Sequence, residues 1–265
     1  MKHQIFHTLF TGRRIIELKD VDSTNSYAAE LIRNSAPPEG TVVSAQIQLH
    51  GRGQRSAGTP GTAAMWESEL YKNITVSIVF YPRFLALADR FLFNQAMALG
   101  VYDYVKSVLT ERGEEVKIKW PNDIYFNDRK LAGMLIENTL RTGSISSSIV
   151  GIGLNINQTV FRRNISNPSS FKLITGREYD LEKCLTALCS SIEPRYLQLK
   201  AKKAELLQDN YLCSLYRFNK FHFFESNHKK FKAKITGVSK DGKLMLEHEN
   251  GENGEYDLKE VRYLH

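Results

Sequence analysis

The chain has 265 residues, 42% of them hydrophobic and 25% charged, with a formal net charge of +7. That balance excludes a disordered or fibrous chain, and the length suffices to bury a core as one large domain with an appendage or as two modest domains. No polybasic block stands behind the positive charge, no apolar run has the length of a signal peptide or membrane span, and Cys184, Cys189 and Cys213 show neither disulfide pairing nor a metal spacing, so the expected compartment is the cytoplasm, away from any membrane.

Arg14 to Val21 reads as a first strand, followed by a run of helix-capping residues, Asp22-Ser23-Thr24-Asn25. Tyr27, Ala28, Leu31 and Ile32 then recur at helical spacing until Pro37-Pro38-Glu39-Gly40 ends the helix. Thr41 to Gln48 reads as a buried strand. Residues 49–69 hold four glycines and no periodicity, which predicts a long loop, of a length uncommon unless functional or disordered. Asn73 to Phe80 alternates as a strand does. Phe84 to Arg112 predicts one long helix with a single core-facing stripe through Phe91, Gln95, Ala98, Tyr102, Val105 and Leu109. Three strand-like runs follow, Val116–Phe126, Lys130–Asn138 and Ser147–Asn157, with turns at Asn127-Asp128 and Thr142-Gly143. Such a meander predicts an α+β fold, a mixed and largely antiparallel sheet packed with helices. Asp180 caps a further helix that Pro194 kinks or restarts. Residues 221–265 read as short strands around Asp241-Gly242 and Gly251–Gly254, a small β-barrel appendage. The expected domains are residues 1–218 and 219–265.

Four segments carry chemistry. Gly51-Arg52-Gly53-Gln54-Arg55 joins backbone freedom to two guanidinium groups, either a phosphate cradle or a plain surface turn. Lys119-Trp120-Pro121-Asn122-Asp123 precedes Lys130-Leu131-Ala132-Gly133 and Glu137, and Pro121 should end or bulge its strand. A lysine in a strand needs an anion, supplied by a partner such as Asp123 or by a bound carboxylate and phosphate. Gly151-Ile152-Gly153-Leu154-Asn155-Ile156-Asn157 invites close backbone approach to a ligand or to a packed neighbour, with Asn155 and Asn157 on one face of the strand. Ser23-Thr24-Asn25 caps a helix or holds a polar ligand head.

In this order the four segments closely resemble biotin protein ligases, over about residues 14–265 and including a C-terminal SH3-like barrel with Ile235-Thr236-Gly237-Val238. The resemblance implies the biotin ligase catalytic fold, akin to class II aminoacyl-tRNA synthetases. It also implies ATP and Mg²⁺ as cofactors, biotin as substrate, and a biotin carboxyl carrier protein of a biotin-dependent carboxylase as acceptor. Ser23, Thr24, Asn25 and Gln48 would hold the ureido ring. Arg52, Gly53 and Gln54 would close over biotin, and Lys130 would meet the biotin carboxylate and the α-phosphate above Gly133. Arg55, Trp66, Asn122, Asp123 and Asn155 would serve the nucleotide, with Asp123 toward Mg²⁺. Lys130 and Arg52 are the expected catalytic pair.

Two departures from the family pattern stand out. Ser56 replaces a glycine, and Trp66 arrives only after an insertion, Ala57–Met65, which predicts slower or less ordered closure of the loop. The first strand begins near residue 14, which leaves no room for the DNA-binding domain of some relatives; a monomer or homodimer without sequence-specific DNA binding is expected. The competing readings are a lipoate-protein ligase-like acyl transferase, a member that binds biotin without ligating it, and a nucleic-acid module. The last is opposed by eight basic and eight acidic residues in 221–265.

Overall fold

The structure, a computed structural model, describes residues 8–51, 53, 66, 68–109, 116–141, 143–161 and 167–264. Strands β1 (Ile15–Val21), β2 (Val42–Gln48), β3 (Ile74–Phe80), β4 (Val116–Lys119), β5 (Asp123–Phe126), β6 (Arg129–Arg141) and β7 (Ser144–Leu154) form one sheet in the order β1-β2-β3-β7-β6-β5-β4. β1 and β2 run parallel, linked by helix α1 (Thr24–Ser35), and every other neighbouring pair is antiparallel. Strands β8 (Phe221–Ser226), β9 (Lys229–Val238), β10 (Leu244–His248), β11 (Asn253–Tyr256) and β12 (Arg262–Tyr263) form a second, all-antiparallel sheet, ordered β11-β10-β9-β8-β12. The fold is α+β, with a mixed main sheet, as the meander predicts.

All seven residues of β3 are buried, because helices cover both faces of the sheet there. Val79 packs with Ala28 of α1. Ile74, Val76, Ile78 and Phe80 point into the large core that includes helix α2 (Arg90–Leu109). Helix α2 is buried from Gln95 to Val101 without a break, so the expected single stripe does not hold. It lies between the sheet and helix α4 (Leu181–Lys200), and a helix covered on all sides is apolar all round. Gly100 permits this: a Cβ there would stand 2.7 Å from Cα of Ile192 on α4. Arg195 on α4 donates to Asp103 on α2 at 2.6 and 3.1 Å. Buried Glu193 accepts from the backbone N–H groups of Leu9, Phe10 and Thr11 at 2.6, 2.9 and 2.8 Å, which pins the segment ahead of β1.

Several boundaries differ from the sequence reading. Helix α2 begins at Arg90, not Phe84, because Ala86 bridges Ser144 and Leu87 N–H donates to Gly143 O at 3.2 Å, holding residues 84–89 against the β6–β7 hairpin. The run Val116–Phe126 is a hairpin of β4 and β5 turned at Trp120-Pro121-Asn122, so Pro121 ends a strand as expected. Helix α4 passes through Pro194 without restarting, since its buried face packs against α2 on either side of that residue. Helices α3 (Phe171–Thr175) and α5 (Ala204–Ser214) had no periodic signal of sufficient length. No described helix is long and apolar enough to cross a membrane.

The C-terminal sheet does not stand apart. Phe224, Ala233, Ile235, Leu244, Leu246 and Tyr263 belong to the same buried cluster as α2. Trp120 Nε1 donates to Gly242 O at 3.0 Å, and the Phe91 ring packs where a Gly242 side chain would be.

The helix contact yields a test. Gly100→Val should cost about 2–3 kcal/mol, because overpacking outweighs the small gain in helix propensity. Urea unfolding should show a lower midpoint at an unchanged slope.

Candidate functional site

The predicted residues at the start of α1, on β6 and β7 and at Trp66 gather on the sheet face that carries α1. Three glycines keep this face low. A Cβ on Gly151 would collide with the amide of Asn25, and one on Gly153 with the ring of Trp66. One on Gly133 would sit 3.1 Å from both Asp123 Oδ1 and Lys130 Nζ. Gly133 and Gly153 are register partners across β6 and β7, so the bare floor is continuous between the strands.

At one end of the floor stands the start of α1. Ser23, Thr24 and Asn25 are all buried. Ser23 occupies the N-cap position, yet its side chain makes no capping bond. Instead Thr24 N–H donates to Gln48 Oε1 at 2.8 Å, and Thr24 Oγ1 lies 3.0 Å from the same atom. Asn25 Nδ2 donates to Glu137 Oε2 at 2.7 Å and to Leu135 O at 3.2 Å. Ser77 Oγ, on β3, lies 2.6 Å from Asn25 Oδ1 and 2.7 Å from Thr24 Oγ1. The cluster is thus held by β2, β3 and β6 and is not a simple cap. Ser77 was missed from the sequence, although a fully buried hydroxyl among Ile74, Val76, Ile78 and Val79 was a legible signal.

At the other end stand the charges. Lys130 Nζ meets Asp123 Oδ2 at 2.6 Å, both side chains partly exposed. Of the two anions the sequence allowed, the protein supplies Asp123. Lys119, paired with Asp123 across the hairpin, is the second cation and was not assigned a role from the sequence. Its Nζ lies 3.3 Å from Tyr125 Oη and about equally over two rings, 5.0 Å from the centroid of Tyr125 and 4.9 Å from that of Tyr263. Burial pulls the Lys119 ammonium down to about 8; Asp123 opposes that, while Lys130 and Arg217 add to it. Tyr263 comes from β12, so the C-terminal sheet forms one wall of this charged corner.

Between the two ends lie amides with unfilled capacity. Asn122 is fully buried, and neither of its amide atoms has a partner among the described residues. Asn155 Nδ2 donates to Ser169 O at 2.9 Å, while its Oδ1 is buried without a described partner. Buried polar atoms of this kind call for a ligand or water. The expectation that Asn155 and Asn157 share a strand face is corrected: β7 ends at Leu154, and Asn157 spends its amide on the backbone of Tyr179, at 2.8 and 2.9 Å. The backbone of Trp66 donates to Gly51 O at 3.0 Å, which brings its ring onto the floor, with Nε1 buried and without a partner among the described residues. Gly53 is half-buried; Arg52, Gln54 and Arg55 lie outside the described residues. Among the described residues no three His, Cys, Asp or Glu side chains form a metal cage.

Such a site suits a long ligand with a polar head at α1, an apolar stem over the glycine floor and anionic groups at Lys119 and Lys130. Comparison with known proteins agrees. The profile of the biotin/lipoate A/B protein ligase family matches residues 18–156. The bifunctional ligase/repressor BirA of Bacillus spizizenii is 28% identical over 246 residues, 91% of this chain and 71% of that protein. The biotin–[acetyl-CoA-carboxylase] ligase of Mycobacterium tuberculosis is 25% identical over 74% of this chain and 69% of that protein. Among solved structures, the biotin protein ligase of Aquifex aeolicus in complex with biotin and ATP aligns with a TM-score of 0.74 at 25% identity, over 95% of this chain and 100% of that one.

The Lys119 environment gives a pH test. A folded pKa near 8, below the ordinary 10.5, means that the unfolded chain binds the extra proton between those values. Stability contributed by Lys119 therefore rises as pH climbs from about 8 to about 10.5, by up to about 3 kcal/mol. Urea unfolding of the parent and of Lys119→Met at pH 7.5 and pH 10 should show the difference between them shift toward the parent at the higher pH. Two parallel pH dependences would refute the assignment.

Proposed function

This chain belongs to the biotin/lipoate A/B protein ligase family, and from that premise we propose that it is an ATP-dependent biotin protein ligase. It makes biotinyl-5'-AMP and passes the biotin to a lysine of a biotin carboxyl carrier protein. The observation that carries the reading is the pairing of a hydrogen-bonding head site at Thr24 and Gln48 with two cations, Lys130 and Lys119, across a floor without side chains. A lipoate ring has no N–H or carbonyl to match Thr24 and Gln48, which favours biotin over the lipoate alternative. The intact Lys130–Asp123 corner favours a ligating enzyme over a protein that only binds biotin.

The chemistry assigns roles to these groups. A biotin carboxylate oxygen bonds to the α-phosphorus of ATP as the bond to pyrophosphate breaks. Both partners are anions, so cations must offset their repulsion and the charge that develops. Lys130 takes that role, and the family resemblance gives Arg52 a share of it. Magnesium enters with ATP as part of the substrate and needs only one or two protein carboxylates. Asp123 is the carboxylate at hand, and its release from Lys130 frees the lysine for the ligand. Asn122 and the unfilled Oδ1 of Asn155 face the nucleotide, the latter as an acceptor for the adenine amino group. Trp66 and Gly53 cover the mixed anhydride and keep water from it, a role the family resemblance also gives to Gln54 and Arg55. The unprotonated carrier amine then bonds to the acyl carbon as AMP leaves.

We further propose that residues 1–218 are the catalytic domain and 219–265 the C-terminal barrel domain, acting as a monomer or homodimer in the cytoplasm; the three free thiols suit a reducing compartment. Sequence-specific DNA binding is not part of this proposal. On the outer face of the C-terminal sheet Lys232 pairs with Glu249 at 2.6 Å, Lys234 with Glu247 at 2.9 Å and Arg262 with Glu225 at 3.0 Å, which neutralises the charge that phosphates would need.

Intact-mass measurement of a purified carrier domain, with Mg²⁺–ATP and biotin, tests the proposal. A gain of one biotin that requires ATP, slowed about a hundredfold or more in Lys130→Ala, is the expected outcome. No gain together with biotin binding would leave a binding protein only.

A further inference from the structure

The turn that leads into Asp123 is held from outside the main sheet. It spans Trp120, Pro121 and Asn122 and is closed by the pairing of Lys119 with Asp123. Helix α5 and the residues after it grip this hairpin at two points. On β4, Leu215 bridges Ile118, and Tyr216 N–H donates to Ile118 O at 2.9 Å. At the turn itself, the Tyr211 hydroxyl donates to Pro121 O at 2.7 Å. Tyr211 is fully buried, with its ring edge-on to Phe91 at 6.0 Å between centroids. Phe91 in turn packs where a Gly242 side chain would be, and the carbonyl of Gly242 takes the Trp120 indole N–H at 3.0 Å. The turn is thus pinned through the side chain of Trp120 and the backbone of Pro121. Burial pushes the Tyr211 phenol well above its ordinary range, so its oxygen keeps the proton that it donates.

The pinned carbonyl bears on Asn122. Pro121 O lies in one rigid peptide plane with the N and Cα of Asn122, so fixing the oxygen fixes the direction in which Asn122 leaves the turn. Asn122 is fully buried, and neither atom of its amide has a partner among the described residues. An unmet amide in apolar surroundings is costly and favours any movement that would find it a partner. A turn held by its neighbours resists that movement and keeps the amide ready for a ligand. We propose that Tyr211 is a positioning residue for the nucleotide, its hydroxyl holding the Pro121 carbonyl so that the Asn122 amide stays aimed into the nucleotide site. This rests on the ATP-dependent ligase reading and deepens it, because it gives helix α5, which lies outside the main sheet, a share in the affinity for ATP.

The test uses Tyr211→Phe in the full chain, which keeps the ring and removes the hydroxyl. Calorimetry gives the Kd of biotin alone and of α,β-methylene-ATP, an analogue that cannot be cleaved, and biotin-dependent pyrophosphate release gives KM and kcat for ATP. The analogue Kd and the KM for ATP should both rise about tenfold, the effect of one buried hydrogen bond, with kcat at saturating ATP and the biotin Kd each within about twofold of the parent. Tyr196→Phe is the control. Tyr196 is also buried, and its hydroxyl donates to Glu39 Oε1 at 2.6 Å, among Phe80 and Phe93 rather than at the turn. It should lower the melting temperature without moving either nucleotide constant. In an Asn122→Ala background Tyr211→Phe should leave the analogue Kd where it is, because a hydroxyl that acts through Asn122 then has nothing to aim. Three results would each overturn the proposal while leaving the ligase reading intact: a lower melting temperature with unchanged nucleotide constants, equal weakening of biotin and analogue, or an effect that multiplies with that of Asn122→Ala. A parent that neither binds the analogue nor releases pyrophosphate would remove both.

Discussion

The Asn25 amide joins the first turn of α1 to three strands of the main sheet, and the geometry of the head site follows from that joint. Its NH₂ reaches β6 through Leu135 O and Glu137, its oxygen reaches β3 through Ser77, and its flat side lies where Gly151 of β7 has no side chain. A fully buried amide must satisfy its polar atoms or lose the cost of desolvating them, about 1–3 kcal/mol for each unmet group. That penalty ties the helix start to a fixed place over the sheet. Thr24 and Gln48 are then held at mutual distances near 3 Å before any ligand arrives, and a site whose parts are already placed need not order them on binding.

Electrostatics organise the opposite end. Two lysines and one carboxylate share a corner that the Tyr125 and Tyr263 rings wall off from water. One negative side chain between two positive ones leaves the corner short of anions. Burial lowers the affinity of Lys119 for its proton, and Lys130 and Arg217 add to that effect against the opposing pull of Asp123. A ligand carrying a carboxylate and phosphates meets the shortage of anions. Because Tyr263 belongs to the C-terminal sheet, and because Trp120 bonds to Gly242 of that sheet, the appendage supplies part of the wall of the corner.

Much of this was legible in the residues themselves. Period-2 and period-3.6 patterns placed β1, α1, β2, β3 and the bulk of α2 and α4 within a few residues, because the apolar spacing of a strand or helix is local to the chain, even though β3 and α2 are buried on more than one face. The glycines of β6 and β7 announced a close approach, and the contacts with Asn25, Trp66 and Lys130 supply it. The errors have physical causes. The start of α2 moved because a hairpin from distant sequence captured residues 84–89. The short α3 and the helix α5 carry too few periodic positions to stand out. Asn157 looked like a ligand group because an amide at a strand end reads alike whether it serves a ligand or a neighbouring backbone.

The sequence by itself determined which chemistry is present: the lysines, arginines and amides, their order, the bare glycine positions and the two sheets' alternation, all of which are properties of residue type and local spacing. Only the tertiary structure decided how those groups are spent. Asp123 lies seven residues from Lys130, Ser77 lies 52 residues from Asn25, and Tyr263 lies on another sheet from Lys119. Whether a polar group is free to serve a ligand or is already satisfied depends on partners that chain spacing does not encode, because the free energy of a buried hydrogen bond or charge is set by what surrounds it in space.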